Sequence, residues 1–237
     1  MESNPKPSAR HYLERMRSDR ALAQAWETLG SSLALAGSEK PLRSLLVCST
    51  QPQEGKTTVA AHLALVAALG GERVLLVDAD LRRPRLHALF ELPIERGFAD
   101  LLEGRAGLAD VARPVELGAG ARGSLRVVPS GAATAASLPL LASGRLPGVV
   151  AGLGAEADKV IVDSPPVLSV SDALFLAPAV DGVVFVVGAG AVAEREAVLA
   201  KQRLEQSGAR LLGFVMNRFE EAEHGPGYHP YHAYYEV

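Results

Sequence analysis

The segment Thr50-Gln-Pro-Gln-Glu-Gly-Lys-Thr57 follows the apolar run Leu45-Leu-Val-Cys48 and opens a stretch of helix-forming residues. A short Gly-Lys-Thr motif between a strand and a helix is a credible phosphate loop. Backbone N–H groups of such a loop, and the free N–H groups at the helix start, point at an anion, and the helix dipole adds partial positive charge. Gly55 lets the backbone approach closely, with Gln53 and Glu54 beside it in the loop. The Lys56 ammonium reaches the β- and γ-phosphates of a nucleoside triphosphate, and the Thr57 hydroxyl takes one position on Mg²⁺. Thr58, at the rim of this set, is expected to pack or cap. Thr50 stands where the common Gly-x-x-x-x-Gly-Lys-Ser/Thr pattern has its first glycine, so the loop takes a variant path.

Phosphate chemistry also asks for carboxylates at the C-terminal ends of neighbouring strands. Val74-Leu-Leu-Val-Asp78-Ala-Asp80 ends one apolar run with two acids, and Val160-Ile-Val-Asp163 ends another with one. Asp163, followed by Ser164-Pro165-Pro166, reads as a Mg²⁺-associated residue, and Asp78 with Asp80 as a functional pair. The bland alternative is that strands often leave the core through Asp. Arg82, Arg83 and Arg85 follow at once, a basic cluster that suits a phosphate, an acidic partner or simply a solvated face.

Positioning these groups requires βα alternation. Apolar runs at residues 44–49, 73–78, 125–129, 159–163, 182–187 and 211–216 read as strands buried on both faces, with helices over 57–69 and 191–206. The expected fold is α/β, a doubly wound, mainly parallel sheet flanked by helices. Residues 103–124 and 130–148, rich in Ala, Gly and Pro, read as loops and short helices. Three regions follow: an extension with a docking helix at 1–40, a core at 41–219, and a flexible tail at 220–237. Within 8–36, Leu13, Met16, Leu22, Trp26, Leu29 and Leu33 form one helical stripe.

The 237 residues carry a formal charge of −3, with 48% hydrophobic and 22% charged side chains. This composition suits an ordinary globular protein and argues against nucleic-acid binding by broad phosphate neutralisation. The single cysteine, Cys48, lies in an apolar run and reads as a small buried hydrophobe. Neither a signal peptide nor a spanning helix is read, so a cytoplasmic location is expected. Four of the five tyrosines, Tyr228, Tyr231, Tyr234 and Tyr235, fall in a Gly/Pro/His-spaced segment that cannot bury their rings, which suggests use as substrates. A sticky tail, or one ligating metal through His224, His229 and His232, is the alternative. Phosphorylating all four would add about −6 to −8 charge, enough to displace the tail from an acidic neighbour.

Three motifs in combination, Ser49-Thr-Gln-Pro52-Gln-Glu54-Gly55-Lys56-Thr57-Thr58, Val77-Asp78-Ala79-Asp80-Leu81-Arg82-Arg83-Pro84 and Val162-Asp163-Ser164-Pro165-Pro166, resemble the bacterial tyrosine kinases of capsule and polysaccharide-export systems, a branch of the P-loop NTPases. The similarity continues through Asp172-Ala173, Val180-Asp181-Gly182 and Leu212-Gly213-Phe-Val-Met-Asn217-Arg218, covering roughly residues 40–220. A non-glycine first position is normal in that family. The resemblance implies an ATP- and Mg²⁺-dependent autokinase acting on its own tail tyrosines and regulating polysaccharide synthesis and export. It implies that Lys56 binds phosphates, that Thr57 and Asp163 hold Mg²⁺ with help from Asp80, and that Asp78 is the base toward the tyrosine hydroxyl. Asn217, with Arg218 beside it, would recognise the adenine base. Implied partners are a membrane activator of the chain-length-determinant type, which recruits the protein to the inner membrane face, a tyrosine phosphatase and further copies of the chain.

Two departures stand out. The family's Glu-x-x-Arg-x-x-Arg assembly motif corresponds to Gln24-Ala-Trp26-Glu27-Thr-Leu29-Gly30, which keeps neither arginine, and its Pro-Asn-Pro stretch is replaced by Ala132-Ala-Thr-Ala-Ala-Ser137. Arg10, Arg15, Arg17 and Arg20 could dock near anionic lipid or merely aid solubility. The competing reading is an ATP-dependent switch or scaffold akin to chromosome-partitioning and septum-placing ATPases. Those use a signature lysine early in the loop, in the region where this chain has Gln51.

Overall fold

The computed structural model describes residues 14, 18–118, 121–134 and 137–219. The tyrosine segment 220–237, with Tyr228, Tyr231, Tyr234 and Tyr235, lies outside them, as do Leu13 and Met16.

Seven strands form one sheet: β1 (Ser44–Ser49), β2 (Arg73–Asp78), β3 (Arg113–Val115), β4 (Ser124–Val128), β5 (Lys159–Asp163), β6 (Gly182–Gly188) and β7 (Leu211–Asn217), in the spatial order β3-β4-β2-β5-β1-β6-β7. Every pairing is parallel except β3 with β4. The antiparallel edge strand falls in a region that the sequence marks as loops and short helices. It is three residues long and centred on Pro114, which an edge strand tolerates because one side makes no ladder bonds. The chain leaves β1 toward β2 on one side and later crosses from β5 to β6 on the other. The carboxyl end of β1 is therefore a topological switch point, where open α/β sheets hold their ligands.

Helices cover both faces. On one lie α1 (Arg20–Ala36), α2 (Lys56–Gly70) and α3 (Leu86–Leu89), packed over Val47, Leu76, Ile161 and Val184. On the other lie α4 (Phe98–Glu103), α6 (Ser137–Leu141), α7 (Arg145–Ala155), α8 (Asp172–Leu176) and α9 (Glu194–Gln206), over Leu46, Leu75, Val162 and Phe185. A short α5 (Leu108–Val111) precedes β3. Burial on both faces explains why β1 is an unbroken apolar run without polar alternation.

The stripe over 8–36 is not one continuous helix. Asp19 adopts extended backbone angles, and its carboxylate accepts the N–H of Leu22 at 3.0 Å, so it caps α1 and breaks what precedes it. From there the stripe behaves as expected, with Trp26 buried and Leu22, Leu29 and Leu33 packed beside it. The Trp26 ring stacks on His62 of α2, with centroids 4.7 Å apart and planes 4° from parallel. His62 Nδ1–H in turn donates to the Thr58 carbonyl at 2.8 Å, tying α1 to the first turn of the helix that follows the loop.

Candidate functional site

The loop after β1 is held by side chains rather than by glycines alone. Glu54 is buried, and its carboxylate turns inward, accepting the N–H of Gln51 at 2.6 Å and that of Gly188, at the end of β6, at 3.1 Å. The backbone carbonyl of Glu54 accepts the Asn217 side-chain amide at 2.8 Å, from the end of β7. One residue thus bolts the loop to two neighbouring strands. Gln51, in the region of the partitioning ATPases' signature lysine, sends its amide to Glu196 of α9 at 3.1 Å. The structure therefore assigns Glu54 and Asn217 contacts within the protein that spacing alone does not reveal.

Gly55 has φ +95°, which favours glycine, and a Cβ there would sit 2.0 Å from Asn217 Nδ2 and so would push that amide off the Glu54 carbonyl. Gln53 adopts φ +71° without being glycine, a conformation that costs about 1 kcal/mol or more and persists because its surroundings fix it. Arg218, directly after Asn217, is likewise left-handed at φ +59°.

Lys56 and Thr57 open α2 and meet the acids from β2 and β5. Lys56 Nζ lies 3.4 Å from Asp80 Oδ2 and 3.5 Å from Thr57 Oγ1. Burial works against its ammonium, but the carboxylates of Asp163, Asp80 and Asp78 outweigh that and raise its pKa above the ordinary lysine value. Thr57 Oγ1 donates to Asp163 Oδ2 at 2.7 Å. Asp163 Oδ1 is fully buried and has no hydrogen-bond partner among the described residues. A threonine hydroxyl and a carboxylate with a spare oxygen, beside a loop built for phosphates, fit Mg²⁺, which takes few protein ligands and completes its shell with phosphate and water. No cluster of three or more His, Cys, Asp or Glu suited to holding a metal occurs among the described residues.

Asp78 and Asp163 are register partners on adjacent parallel strands, which lie ~4.8 Å apart. Burial first, and then the charge of Asp163, push the Asp78 carboxyl up to about 7, despite the N–H groups of Leu86 and Arg85 that favour its ionised form. Both N–H groups reach Asp78 Oδ2 at 2.9 Å, whereas Oδ1 accepts only a longer 3.2 Å contact from Asp80 N–H. Oδ1 is therefore the oxygen better able to accept a proton. Asp163 rises to about 6, driven by burial and restrained by Lys56 and Thr57. Two buried carboxylates near neutrality beside a lysine form a site able to exchange a proton and place charge around a transferring phosphoryl group.

The arginine cluster divides. Arg82 forks onto Asp172 of α8 at 2.8 and 3.2 Å, a pairing that nothing in the sequence spacing announces. Arg83 and Arg85 lend only their backbone N–H groups, to Asp80 and Asp78, and both residues are exposed. Cys48 is buried below the loop, and burial drives its thiol well above the usual range, so it is inert.

Comparisons with known proteins bear on the family and the fold. Residues 45–233 match the model of the CobQ/CobB/MinD/ParA nucleotide binding domain. The tyrosine-protein kinase YwqD of Bacillus subtilis is 32% identical over 202 residues, covering 85% of this chain and 83% of that protein. The tyrosine-protein kinase ptk of Acinetobacter johnsonii is 30% identical over 88% of this chain, which spans only 28% of ptk. Among solved structures, the kinase domain of the Escherichia coli tyrosine kinase ETK superposes with a TM-score of 0.75 at 32% identity, covering 83% of this chain and 77% of that one. The septum site-determining protein MinD of Pyrococcus horikoshii, solved with Mg-ADP, gives a TM-score of 0.60 at 25% identity over 75% of this chain and 70% of its own.

Proposed function

Because this chain belongs to the CobQ/CobB/MinD/ParA nucleotide-binding family and, within it, to the bacterial tyrosine kinases, we propose that it transfers the γ-phosphate of ATP to tyrosines of its own segment 228–235. The observation that carries this reading is the convergence of Asp78, Asp80 and Asp163 on Lys56 and Thr57, with one Asp163 oxygen unpartnered and Asp78 poised near neutrality.

Lys56 and the N–H groups at the start of α2 hold the β- and γ-phosphates, with Gln53, Gly55 and Thr58 around them. Thr57 and Asp163, with Asp80 beside them, hold Mg²⁺, which when bound neutralises phosphate charge. Asp78 Oδ1 accepts the tyrosine hydroxyl proton as the phenolic oxygen bonds to the γ-phosphorus. The bond from that phosphorus to the β–γ bridging oxygen breaks, and ADP leaves with the electron pair. The protein supplies orientation and electrostatics rather than a covalent intermediate. Asn217 and Arg218, at the end of β7, would read the adenine base, on the family resemblance. The Asn217 bond to Glu54 would then let base binding steady the loop.

Regulation of capsule or exopolysaccharide synthesis, an activator of the chain-length-determinant type at the inner membrane face, a tyrosine phosphatase and self-association belong to the same proposal, on the family resemblance. No helix among the described residues is long and apolar enough to cross a membrane. The scaffold reading loses support at Gln51, whose amide is turned to Glu196.

The test is the pH dependence of kcat/KM for Mg-ATP in tyrosine phosphorylation, which reports ionisations of the free enzyme. Activity should rise through an apparent pKa near 7, and Asp78→Asn should remove that limb together with most of the rate while Mg-ATP still binds. A rate that Asp78→Asn leaves unchanged rejects Asp78 as the base.

A further inference from the structure

We infer that Arg83 and Arg85 form an acidic-peptide subsite of the tyrosine site and that its occupant is the glutamate-bearing segment 220–237 of this chain or of a second copy. The inference rests on the proposed kinase reading and names what that site selects.

Three observations carry it. First, position: Arg83 N–H donates to Asp80 Oδ1 and Arg85 N–H to Asp78 Oδ2, both at 2.9 Å, so the backbone that carries these exposed arginines is fastened directly to two of the buried acids of the site. A polypeptide that brings a tyrosine hydroxyl to Asp78 would then pass near this segment. Second, availability: Arg82 is consumed by Asp172, whereas Arg83 and Arg85 are exposed and form no ion pair among the described residues. Two adjacent cations kept off local carboxylates, next to three buried acids that would repel an acidic ligand, supply the local compensation such a ligand needs. Third, complementarity: residues 220–237 carry Glu220, Glu221, Glu223 and Glu236 and no Lys or Arg. Glu236 directly follows Tyr235, and the other three precede Tyr228 by five to eight positions. At ~3.3 Å per extended residue, glutamates on either side of the acceptors come within reach of arginine side chains as different tyrosines are presented.

The nucleotide could in principle claim these arginines instead. That would make Arg83 and Arg85 extensions of the phosphate site, and the loss on substitution would appear in Mg-ATP affinity.

The experiment uses the full chain with Mg-ADP bound and a fluorescent peptide of residues 220–237, read by anisotropy, so that it does not depend on catalysis. The comparison peptide has Glu220, Glu221, Glu223 and Glu236 replaced by Gln. We expect the native peptide to bind about tenfold more tightly than the Gln peptide, the size of two exposed ion pairs and equal to ~1.4 kcal/mol. Arg83→Gln with Arg85→Gln should erase the difference without changing Mg-ADP affinity. Arg83→Glu with Arg85→Glu should prefer a peptide with Lys at the four Glu positions. Because both arginines make their structural bonds through backbone N–H groups, these variants keep the anchors of Asp78 and Asp80. Equal binding of the native and Gln peptides, or a loss confined to Mg-ADP affinity, overturns the subsite. If peptides bind as expected but no phosphate is ever transferred, the subsite stands and the kinase reading falls.

Discussion

Replacing Asp163 with Asn should inactivate the protein and yet stabilise its nucleotide-free form. Asp163 is fully buried, and its carboxyl titrates at about 6 instead of 3.8, because burial outweighs the help of Lys56 and Thr57. A carboxyl whose folded pKa is raised contributes stability that is complete below the unfolded pKa, near 3.8, and is lost as pH rises through about 6. At pH 8 the ionised group therefore weighs on the fold by the whole shift. At ~1.4 kcal/mol per unit this is on the order of 2–3 kcal/mol. Asn keeps an oxygen to accept the Thr57 hydroxyl, removes the charge and relieves Asp78 of its largest like-charge neighbour. For a chain of this size ~1 kcal/mol moves Tm by about 2–4 °C, so the variant should melt roughly 4–12 °C higher at pH 8. The gap should close toward pH 4. Calorimetry of both proteins, free of nucleotide and Mg²⁺, across this range reads it directly. Mg-ATP at a hundred times its Kd should add ~2.7 kcal/mol to the native chain and far less to the variant, narrowing or reversing the order. A variant less stable at pH 8, or shifted equally at every pH, would mean that Asp163 is a structural acceptor rather than a strained functional acid.

Glu54→Ala should strand the N–H groups of Gln51 and Gly188, each costing about 1–3 kcal/mol, and release Gln53 from its left-handed conformation. Urea denaturation should show the stability loss and calorimetric titration a weaker Mg-ATP site; unchanged affinity would show that the loop keeps its shape without the bolt. Trp26→Ala should cost ~3–5 kcal/mol by opening a core cavity and should also lower Mg-ATP affinity, since the Trp26–His62 stack leads to Thr58. Denaturation with unaltered nucleotide affinity would confine α1 to a packing role.

The parallel core was legible because strands buried on both faces leave unbroken apolar runs, and the loop was legible because phosphate binding needs Gly-Lys-Thr between β1 and α2. Only the start of helix α7 falls in the stretch that the sequence marks as loops and short helices: Pro147, Gly148, Gly152 and Gly154 argue against a longer helix, and packing of Leu146, Val150 and Leu153 into the core overrides that propensity. The start of α1 is not legible in the stripe, because an apolar pattern carries no mark of where it breaks, although Asp19 is the kind of residue that caps. Within the site, Asp78, Asp80 and Asp163 could be named from strand ends. The inward turn of Glu54, the grip of Asn217 on the loop and the Arg82–Asp172 fork join residues 90 to 163 positions apart and leave no local pattern.

The central claim is transfer to the chain's own tyrosines, and the most direct measurement is mass spectrometry of the full chain after incubation with Mg-ATP, with and without a chain-length-determinant partner. The account predicts phosphate on Tyr228, Tyr231, Tyr234 or Tyr235 of the native chain and none on a Lys56→Met chain incubated alone. A native chain that binds Mg-ATP but stays unmodified under both conditions contradicts it.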